Sequence, residues 1–132
     1  MGTLVYEGSC HCAAVRFQVE ANEELELLDC NCSLCQMQGY QHLIVPKSAF
    51  RLLHGDDALS CYRFHTGVAQ HLFCKHCGVK SFYIPRSNPD GVSVNARCID
   101  TSAAHSVTLV PFDGQDWEAN GPGLRHLSVE SE

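Results

Sequence analysis

A chain of 132 residues, 45% hydrophobic and 18% charged, has the composition of one folded domain and excludes a disordered polypeptide. The net charge of −6 and the scattered placement of nine Lys and Arg residues argue against nucleic acid or an anionic membrane as a partner. No apolar run approaches the length of about 18 residues that a membrane span needs. The segment MGTLVYEGSC has no secretory pattern, so we expect a cytoplasmic protein, with the nucleus as the alternative.

The hydrophobic pattern predicts β-structure along the chain, taken as a single domain over residues 1–132. Residues 15–21, VRFQVEA, alternate apolar and polar side chains, and ELELLDC follows after a polar turn, so we predict a hairpin of these two strands. Further short strands are predicted for HLIVP, FRLLHG, LSCYRF, QHLFC, VKSFYIP and GVSVNARCI, with turn residues between them. The fold class is therefore all-β, and we expect the tail over residues 118–132 to be loosely ordered.

The predicted hairpin has a consequence for the cysteines. Antiparallel pairing about a turn at Asn22 would set Val15 opposite Cys30, so the two CxC pairs would reach the same end of one sheet. Alternate residues of an extended segment face the same side, so each CxC pair can present two sulfurs to one ion.

Seven of the nine cysteines fall in three clusters. The clusters are Cys10-His11-Cys12, Cys30-Asn31-Cys32-Ser33-Leu34-Cys35 and Cys74-Lys75-His76-Cys77. Clustered cysteines in a cytosolic protein are typical of metal ligands rather than of disulfides. Gly78, after the last cluster, suits the left-handed backbone that closes a zinc knuckle. Seven thiolates suit two zinc ions, one in a closed structural site of four sulfurs and one in a site of three sulfurs with an open position.

Spacing alone leaves the partition of the sulfurs open. In one arrangement the first and last clusters close a site together, and the middle cluster stays open. In another, the first cluster forms the closed site with Cys30 and Cys32, and Cys35 is then not a ligand of that site. In a third, the middle cluster is itself a closed structural site whose fourth ligand is Cys98, Cys61 or His71. Otherwise Cys61 and Cys98 are expected to be small buried hydrophobes within strands.

The other histidines suggest no ligand set. His11 and His76 lie between cysteines, where side chains usually point away from the metal. The rest show no ligand spacing, and we expect surface or hydrogen-bonded side chains at His42, His54, His65, His105 and His126.

The motifs GSCHCAAVRFQVEA, CNCSLC and FCKHCGVKSFYIPRSNPDGVSVNARCID together resemble the glutathione-dependent formaldehyde-activating enzyme family, and within it the branch that contains centromere protein V. The resemblance runs from about residue 8 to residue 117, with the three clusters in order. It implies a small zinc-bound β-tent domain of several short antiparallel sheets. It also implies two ligand sets, a structural zinc on Cys10, Cys12, Cys74 and Cys77 and a catalytic zinc on Cys30, Cys32 and Cys35.

The resemblance further implies a carbon–sulfur lyase that joins glutathione and formaldehyde, or another aldehyde, into an adduct such as S-(hydroxymethyl)glutathione. The chemistry is compatible, because an open three-thiolate zinc site can hold a substrate thiol as thiolate or polarise an aldehyde oxygen. Arg97, in VNARCID, matches a family motif position and is the candidate substrate-binding residue.

Two positions depart from the family pattern. Ala13 stands where members often carry Gly, and Gln36-Met37-Gln38 stands where many carry basic residues. Glutathione has two carboxylates that require cationic partners. Those partners must then come from elsewhere in the chain, among Lys47, Arg51, Lys80, Arg86 and Arg97.

The alternative is a non-catalytic zinc module in which both sites are structural and the surface binds a protein. Branch members associated with chromosomes or the cytoskeleton have an extra N-terminal region, whereas the first cysteine here is at position 10, so we favour the enzyme. A thiol redox protein is disfavoured because zinc damps the nucleophilicity of a thiolate and the chain has no thioredoxin-like βαβ pattern.

Overall fold

The computed structural model describes residues 2–63, 67–114 and 120–128. The strands in these ranges, numbered along the chain, are β1 (Thr3–Ser9), β2 (Arg16–Asn22), β3 (Glu24–Cys30), β4 (Gln41–Pro46), β5 (Phe50–His54), β6 (Leu59–Tyr62), β7 (His71–Cys74), β8 (Phe82–Tyr83), β9 (Gly91–Asn95) and β10 (Ser106–Phe112). Helix α1 spans Ser33–Gln38, and short 3-10 helices span Lys47–Ala49, Asp56–Ala58, Ala96–Cys98 and Gly121–Ser128. None of the helices in the described ranges is both long enough and apolar enough to cross a membrane.

The strands form three small sheets, which confirms the all-β class. The strand orders are β1-β2-β5, β10-β3-β4-β9-β8 and β6-β7. The strand pairs of these sheets are antiparallel with the exception of β10 and β3, which run parallel. The parallel pair brings the C-terminal ends of β3 and β10 to the same edge of the five-stranded sheet, with Phe112 in register with Cys30.

The predicted hairpin of β2 and β3 is wrong. β2 pairs with β1 and β5, whereas β3 pairs with β4 and β10 in a different sheet. The pairing of Val15 with Cys30 therefore does not occur. Of the four strands that pair with β2 and β3, the sequence pattern did not predict β1 and β10. β1 fully buries only Tyr6 and β10 fully buries none of its seven residues, so neither shows the alternation typical of a half-buried strand.

One apolar cluster joins the three-stranded and five-stranded sheets. Phe17 of β2 is 1% exposed, and its ring meets the edge of Phe82 from β8 at a centroid distance of 5.8 Å. Phe50 of β5 completes this aromatic contact at 4.6 Å from Phe82. Burial of each such side chain stabilises the fold by about 1.5–3 kcal/mol. β9 is buried at all five positions, as expected for a strand covered on both faces.

Two local elements differ from the sequence expectation. The middle cysteine cluster runs into helix α1, which ends at Gly39 in the left-handed conformation. In the tail expected to be loosely ordered, Asn88 Nδ2 donates to the Leu124 carbonyl at 2.8 Å and to Ser128 Oγ at 2.9 Å. These bonds hold the 3-10 helix over Gly121–Ser128, while residues 118–119 and 129–132 lie outside the described residues.

The loop that carries the first cysteine cluster contains a left-handed alanine. Ala13 has φ of 66°, and its N–H donates to the Cys10 carbonyl at 3.2 Å. A left-handed conformation costs a residue with a Cβ about 1–2 kcal/mol, whereas glycine adopts it without that cost. The backbone of Ala13, at a position where family members often carry glycine, is therefore strained.

We predict that Ala13→Gly stabilises the metal-loaded protein by about 1 kcal/mol, because the relief of strain exceeds the entropy that glycine loses on folding. Thermal unfolding at fixed zinc concentration measures the effect. Ala14→Gly is the matched control and is expected to lower the midpoint, because Ala14 is not in the left-handed region. Equal destabilisation by both substitutions would contradict the prediction.

Candidate metal centres

The first and last cysteine clusters meet in one group, which we call the closed cluster. The sulfurs of Cys10, Cys12, Cys74 and Cys77 lie within 4.8 Å of one another. Cys12 Sγ lies 3.7 Å from both Cys10 Sγ and Cys74 Sγ. Two sulfurs at about 2.3 Å from a tetrahedral zinc ion are about 3.8 Å apart. The spacing of the closed cluster therefore fits a four-thiolate zinc site.

The backbone around the closed cluster is arranged to receive thiolates. The N–H of Val15 points to Cys10 Sγ at 3.3 Å, and the N–H of His76 points to Cys74 Sγ at 3.4 Å. Gly78 has φ of 79° and donates its N–H to the Cys74 carbonyl at 2.8 Å, so the left-handed turn predicted there is confirmed. Amide donors of this kind stabilise the charged form of a cysteine.

The middle cluster, which we call the triad, surrounds the start of helix α1. Cys30 ends β3, Cys32 is the N-cap of α1, and Cys35 is buried in its first turn. The N–H of Cys35 donates to Cys32 Sγ at 3.4 Å, and the N–H of Cys32 lies 3.5 Å from Cys30 Sγ. The start of the helix thus brings the three thiols of this six-residue segment close together, and the donor atoms of Cys30 and Cys35 lie within 4.8 Å of each other and of a His42 ring nitrogen.

The three thiols of the triad behave electrostatically as one unit. Hydrogen bonds from Cys30 and then Cys35 lower the pKa of Cys32, while hydrogen bonds with Cys30 and then Cys32 raise the pKa of Cys35 far above the usual range. The hydrogen bond with Cys32 also raises the pKa of Cys30, so Cys32 is the most acidic of the three thiols. Binding of a metal ion to such a donor set releases the remaining protons.

His42 of β4 is a member of the site that the sequence analysis missed. It is buried, and its ring nitrogen Nε2 lies 3.1 Å from Cys35 Sγ. The other nitrogen, Nδ1, lies 2.9 Å from Ser93 Oγ and 3.4 Å from Tyr83 Oη. Burial and the Lys80 ammonium lower the pKa of His42 to about 3, so the ring is neutral near pH 7.

The distance between Cys35 Sγ and His42 Nε2 is that of a hydrogen bond, although the two residues also belong to a group of donors that could hold a metal ion. A sulfur at about 2.3 Å and a nitrogen at about 2.0 Å from one tetrahedral zinc are about 3.5 Å apart. The observed 3.1 Å is shorter, and fits Nε2–H donating to the sulfur while Nδ1 accepts from the Ser93 hydroxyl. No ligand spacing marks His42 in the sequence; it reaches the triad because β4 pairs with β3, with His42 opposite Leu28.

The residues considered as a fourth ligand of the triad lie elsewhere. Cys98 is half-buried, and burial together with the neighbouring thiols of the closed cluster raises its pKa to about 11. Cys61 is exposed on β6, which differs from the expected buried position. His71 Nδ1 lies 2.6 Å from Lys80 Nζ. In the part of the chain that the structure describes, none of the three joins the group of donor atoms around Cys30.

Arg97, the predicted substrate-binding residue, contacts the helix of the triad from outside. Its Nε donates to the carbonyl of Gly39 at 3.0 Å, at the C-terminal end of α1. The side chain is exposed, and its terminal nitrogens have no hydrogen-bond partner among residues 2–63, 67–114 and 120–128. Arg97 therefore supports the end of α1 and keeps donors available to a ligand.

Gly114 closes one side of the triad. It follows β10, whose last residue, Phe112, accepts a hydrogen bond from the N–H of Asn31 at 3.2 Å. A Cβ atom on Gly114 would overlap Cys30 Sγ and would lie 3.0 Å from Cys32 Cβ. Only a residue without a side chain lets the backbone approach the sulfurs this closely.

The fold and these two centres define a class: a small all-β domain with a closed four-cysteine cluster and a second centre where the middle cysteine cluster meets a buried histidine. The profile of the family described as glutathione-dependent formaldehyde-activating enzyme matches residues 5–112. The chain belongs to this family, as the sequence motifs indicated.

Two similar proteins support the assignment. A Halomonas elongata protein, provisionally named a glutathione-dependent formaldehyde-activating enzyme, is 28% identical over 125 residues, covering 86% of this chain and 80% of the relative. A crystal structure of a Rhodobacter sphaeroides protein superposes with a TM-score of 0.67 at 31% identity, covering 79% of this chain and 99% of that one.

We predict that Gly114→Ala weakens metal binding at the triad by about tenfold or more, since displaced supporting contacts of a metal site typically cost that much. The closed cluster is expected to keep its affinity. Competition with a chromophoric chelator resolves the two binding steps. Gly123→Ala is the control, because a Cβ there meets nothing within 4 Å. Unchanged affinity at both steps in Gly114→Ala would contradict the steric argument.

Proposed function

We propose that this protein is a zinc-dependent carbon–sulfur lyase that forms and cleaves the adduct of glutathione and formaldehyde, S-(hydroxymethyl)glutathione. The observation that carries the proposal is the gathering of donors at the start of α1: the donor atoms of Cys30, Cys35 and His42 lie within 4.8 Å of one another. Cys32 Sγ lies beside them and accepts the N–H of Cys35 at 3.4 Å. The family description and the name of the Halomonas relative supply glutathione and formaldehyde as the substrates.

We assign a structural zinc to the closed cluster and a catalytic zinc to the triad. All-thiolate donor sets suit zinc, and the closed cluster has the sulfur spacing of a tetrahedral site. Zinc held by Cys30, Cys32 and Cys35 would supply an exchangeable position that keeps a substrate thiol deprotonated near neutral pH.

The reaction itself requires one bond change and one proton transfer. The glutathione sulfur bonds to the formaldehyde carbon, the carbonyl π electrons move to the oxygen, and the thiol proton ends on that oxygen; cleavage is the reverse. Three thiolates leave a divalent ion with a net charge of −1, which favours holding and releasing a thiol over hydrolysis. His42 fixes the rotamer of Cys35 through its hydrogen bond, and Gly114 keeps a side chain out of the space beside Cys30.

The test is the rate of exchange between free glutathione and its formaldehyde adduct, measured by NMR exchange spectroscopy with and without zinc-loaded protein. We expect acceleration by the wild type. Cys32→Ser is expected to abolish the acceleration while leaving a folded domain with one zinc ion, because the closed cluster is intact. Cys74→Ser is expected to lose the fold, since binding of structural zinc and folding are coupled.

The alternative function is a non-catalytic zinc module that binds a protein. It is favoured by the presence of His42 Nε2 within 4.8 Å of the sulfurs of Cys30 and Cys35, which allows a closed site of cysteines and one histidine after a small shift. No acceleration of exchange by protein that carries two zinc ions would support this module and reject the lyase. If Cys32→Ser unfolded the protein as fully as Cys74→Ser, this result would also support the non-catalytic module.

A further inference from the structure

Lys80 is a buried ammonium group beside the triad. Its residue is 6% exposed, and Nζ contacts Gln38 Oε1 at 3.3 Å and His71 Nδ1 at 2.6 Å. The faces of two tyrosines cover it, with Nζ 3.9 Å from the ring centre of Tyr83 and 5.0 Å from that of Tyr40. Cation–π contacts of this kind stabilise a desolvated ammonium.

The charge of Lys80 has no carboxylate partner in the described ranges. Its two hydrogen bonds go to neutral acceptors and use two of the three ammonium donors, which leaves one for a further acceptor. Burial lowers the pKa of Lys80 to about 8, against the opposing effect of the Cys35 and Cys32 thiolates. Buried charges in proteins are normally paired, so the site has the chemistry to receive an anion.

Lys80 also lines a cavity of about 390 Å³. The described residues around this cavity, which we call the Lys80 cavity, are Gln38, Cys61, Tyr62, His71, Phe73, Gly78 and Lys80. They include hydrogen-bond donors and aromatic rings but no Asp or Glu. The volume is within the range of about 300–1,000 Å³ that is typical of small-molecule sites.

The Lys80 cavity is close enough to the triad for one small molecule to reach both. Gln38 is the last residue of α1, one helical turn after Cys35. Gln38 lines the cavity, and three residues of α-helix rise only about 4.5 Å. An extended tripeptide spans about 10 Å. A thiol at the triad can therefore place a carboxylate in the cavity.

We propose that the Lys80 cavity is the subsite that binds a carboxylate of the thiol substrate, with Lys80 and Gln38 as the recognising donors. The proposal rests on the proposed function, since it places the substrate sulfur at the triad. It also accounts for the departure from the family pattern. The residues after the triad, Gln36-Met37-Gln38, carry no charge, and the cation comes instead from the segment between the closed cluster and β8.

The competing cations are less suited to this role. Lys47 is exposed in the 3-10 helix that follows β4, and the Nε of Arg97 is already bonded to the Gly39 carbonyl. A carboxylate bonded to an exposed side chain gains little, because water screens the pair. Lys80 is desolvated before the ligand arrives, so the same pair is stronger there.

The probe is S-methylglutathione, whose alkylated sulfur can neither form the formaldehyde adduct nor bind as a thiolate. Its affinity for zinc-loaded protein is measured by NMR titration. Two further probes each lack one carboxylate: the glycyl ethyl ester of S-methylglutathione, and S-methylcysteinylglycine, which lacks the glutamyl group. Lys80→Met removes the charge, Lys80→Arg retains it, and Lys47→Met is the matched control on the surface.

We expect Lys80→Met to weaken binding of S-methylglutathione by about tenfold to a hundredfold, the effect of losing one charge-assisted hydrogen bond. One of the two shortened probes should bind the wild type as weakly as S-methylglutathione binds Lys80→Met. The affinity of that probe should not change in Lys80→Met. The carboxylate that this probe lacks is then the one that Lys80 binds. Lys47→Met should bind like the wild type, and Lys80→Arg should keep most of the affinity.

The proposal is overturned if S-methylglutathione binds Lys80→Met and the wild type equally, or does not bind the wild type. It is equally overturned if both shortened probes retain the full dependence on Lys80. Zinc content and circular dichroism verify that the variants are folded. Since the probes cannot react, a negative NMR exchange experiment with glutathione would reject the lyase without bearing on this binding result.

Discussion

The closed cluster is the constraint on which the arrangement of the site depends. Its contact between Cys12 and Cys74 joins residues 62 positions apart, and ties the loop between β1 and β2 to the end of β7. The next residues after the cluster are Gly78, Val79 and Lys80, and Val79 accepts the N–H of Cys74 at 3.0 Å. A zinc ion in the closed cluster would therefore fix not only the fold but also the position of the ammonium group at the second centre.

The second centre is organised around charge. The triad concentrates three thiols in one loop, of which Cys32 is the most acidic, and a single buried cation, Lys80, lies near them within the described part of the chain. The neutral ring of His42 binds the least acidic of the three thiols and is itself bonded to Ser93. This combination suits a ligand that brings a thiol to the sulfurs and a carboxylate to the ammonium, which are the two groups that glutathione combines.

The parts of this account that the sequence could predict are those encoded in local spacing. The cysteine clusters, the left-handed Gly78 and the short strands rich in apolar residues are all local features. The failures are features of tertiary structure. The edge strand β10 has no buried residue to create a pattern, so neither its parallel pairing with β3 nor the approach of Gly114 to Cys30 could be inferred. His42 and Lys80 look like ordinary surface residues in the sequence, since their burial depends on tertiary contacts. His42 is buried where β4 pairs with β3, and Lys80 is covered by the rings of Tyr40 and Tyr83.

The central claim is that the fourth position of the triad belongs to a substrate thiol rather than to the protein. Replacement of zinc by cobalt(II) makes this position visible, because thiolate-to-cobalt charge-transfer absorption scales with the number of bound sulfurs. We predict that glutathione increases this absorption while S-methylglutathione does not, with the closed cluster contributing a constant background. A spectrum that glutathione leaves unchanged at millimolar concentration would mean that a protein donor already completes the site, and would contradict the account.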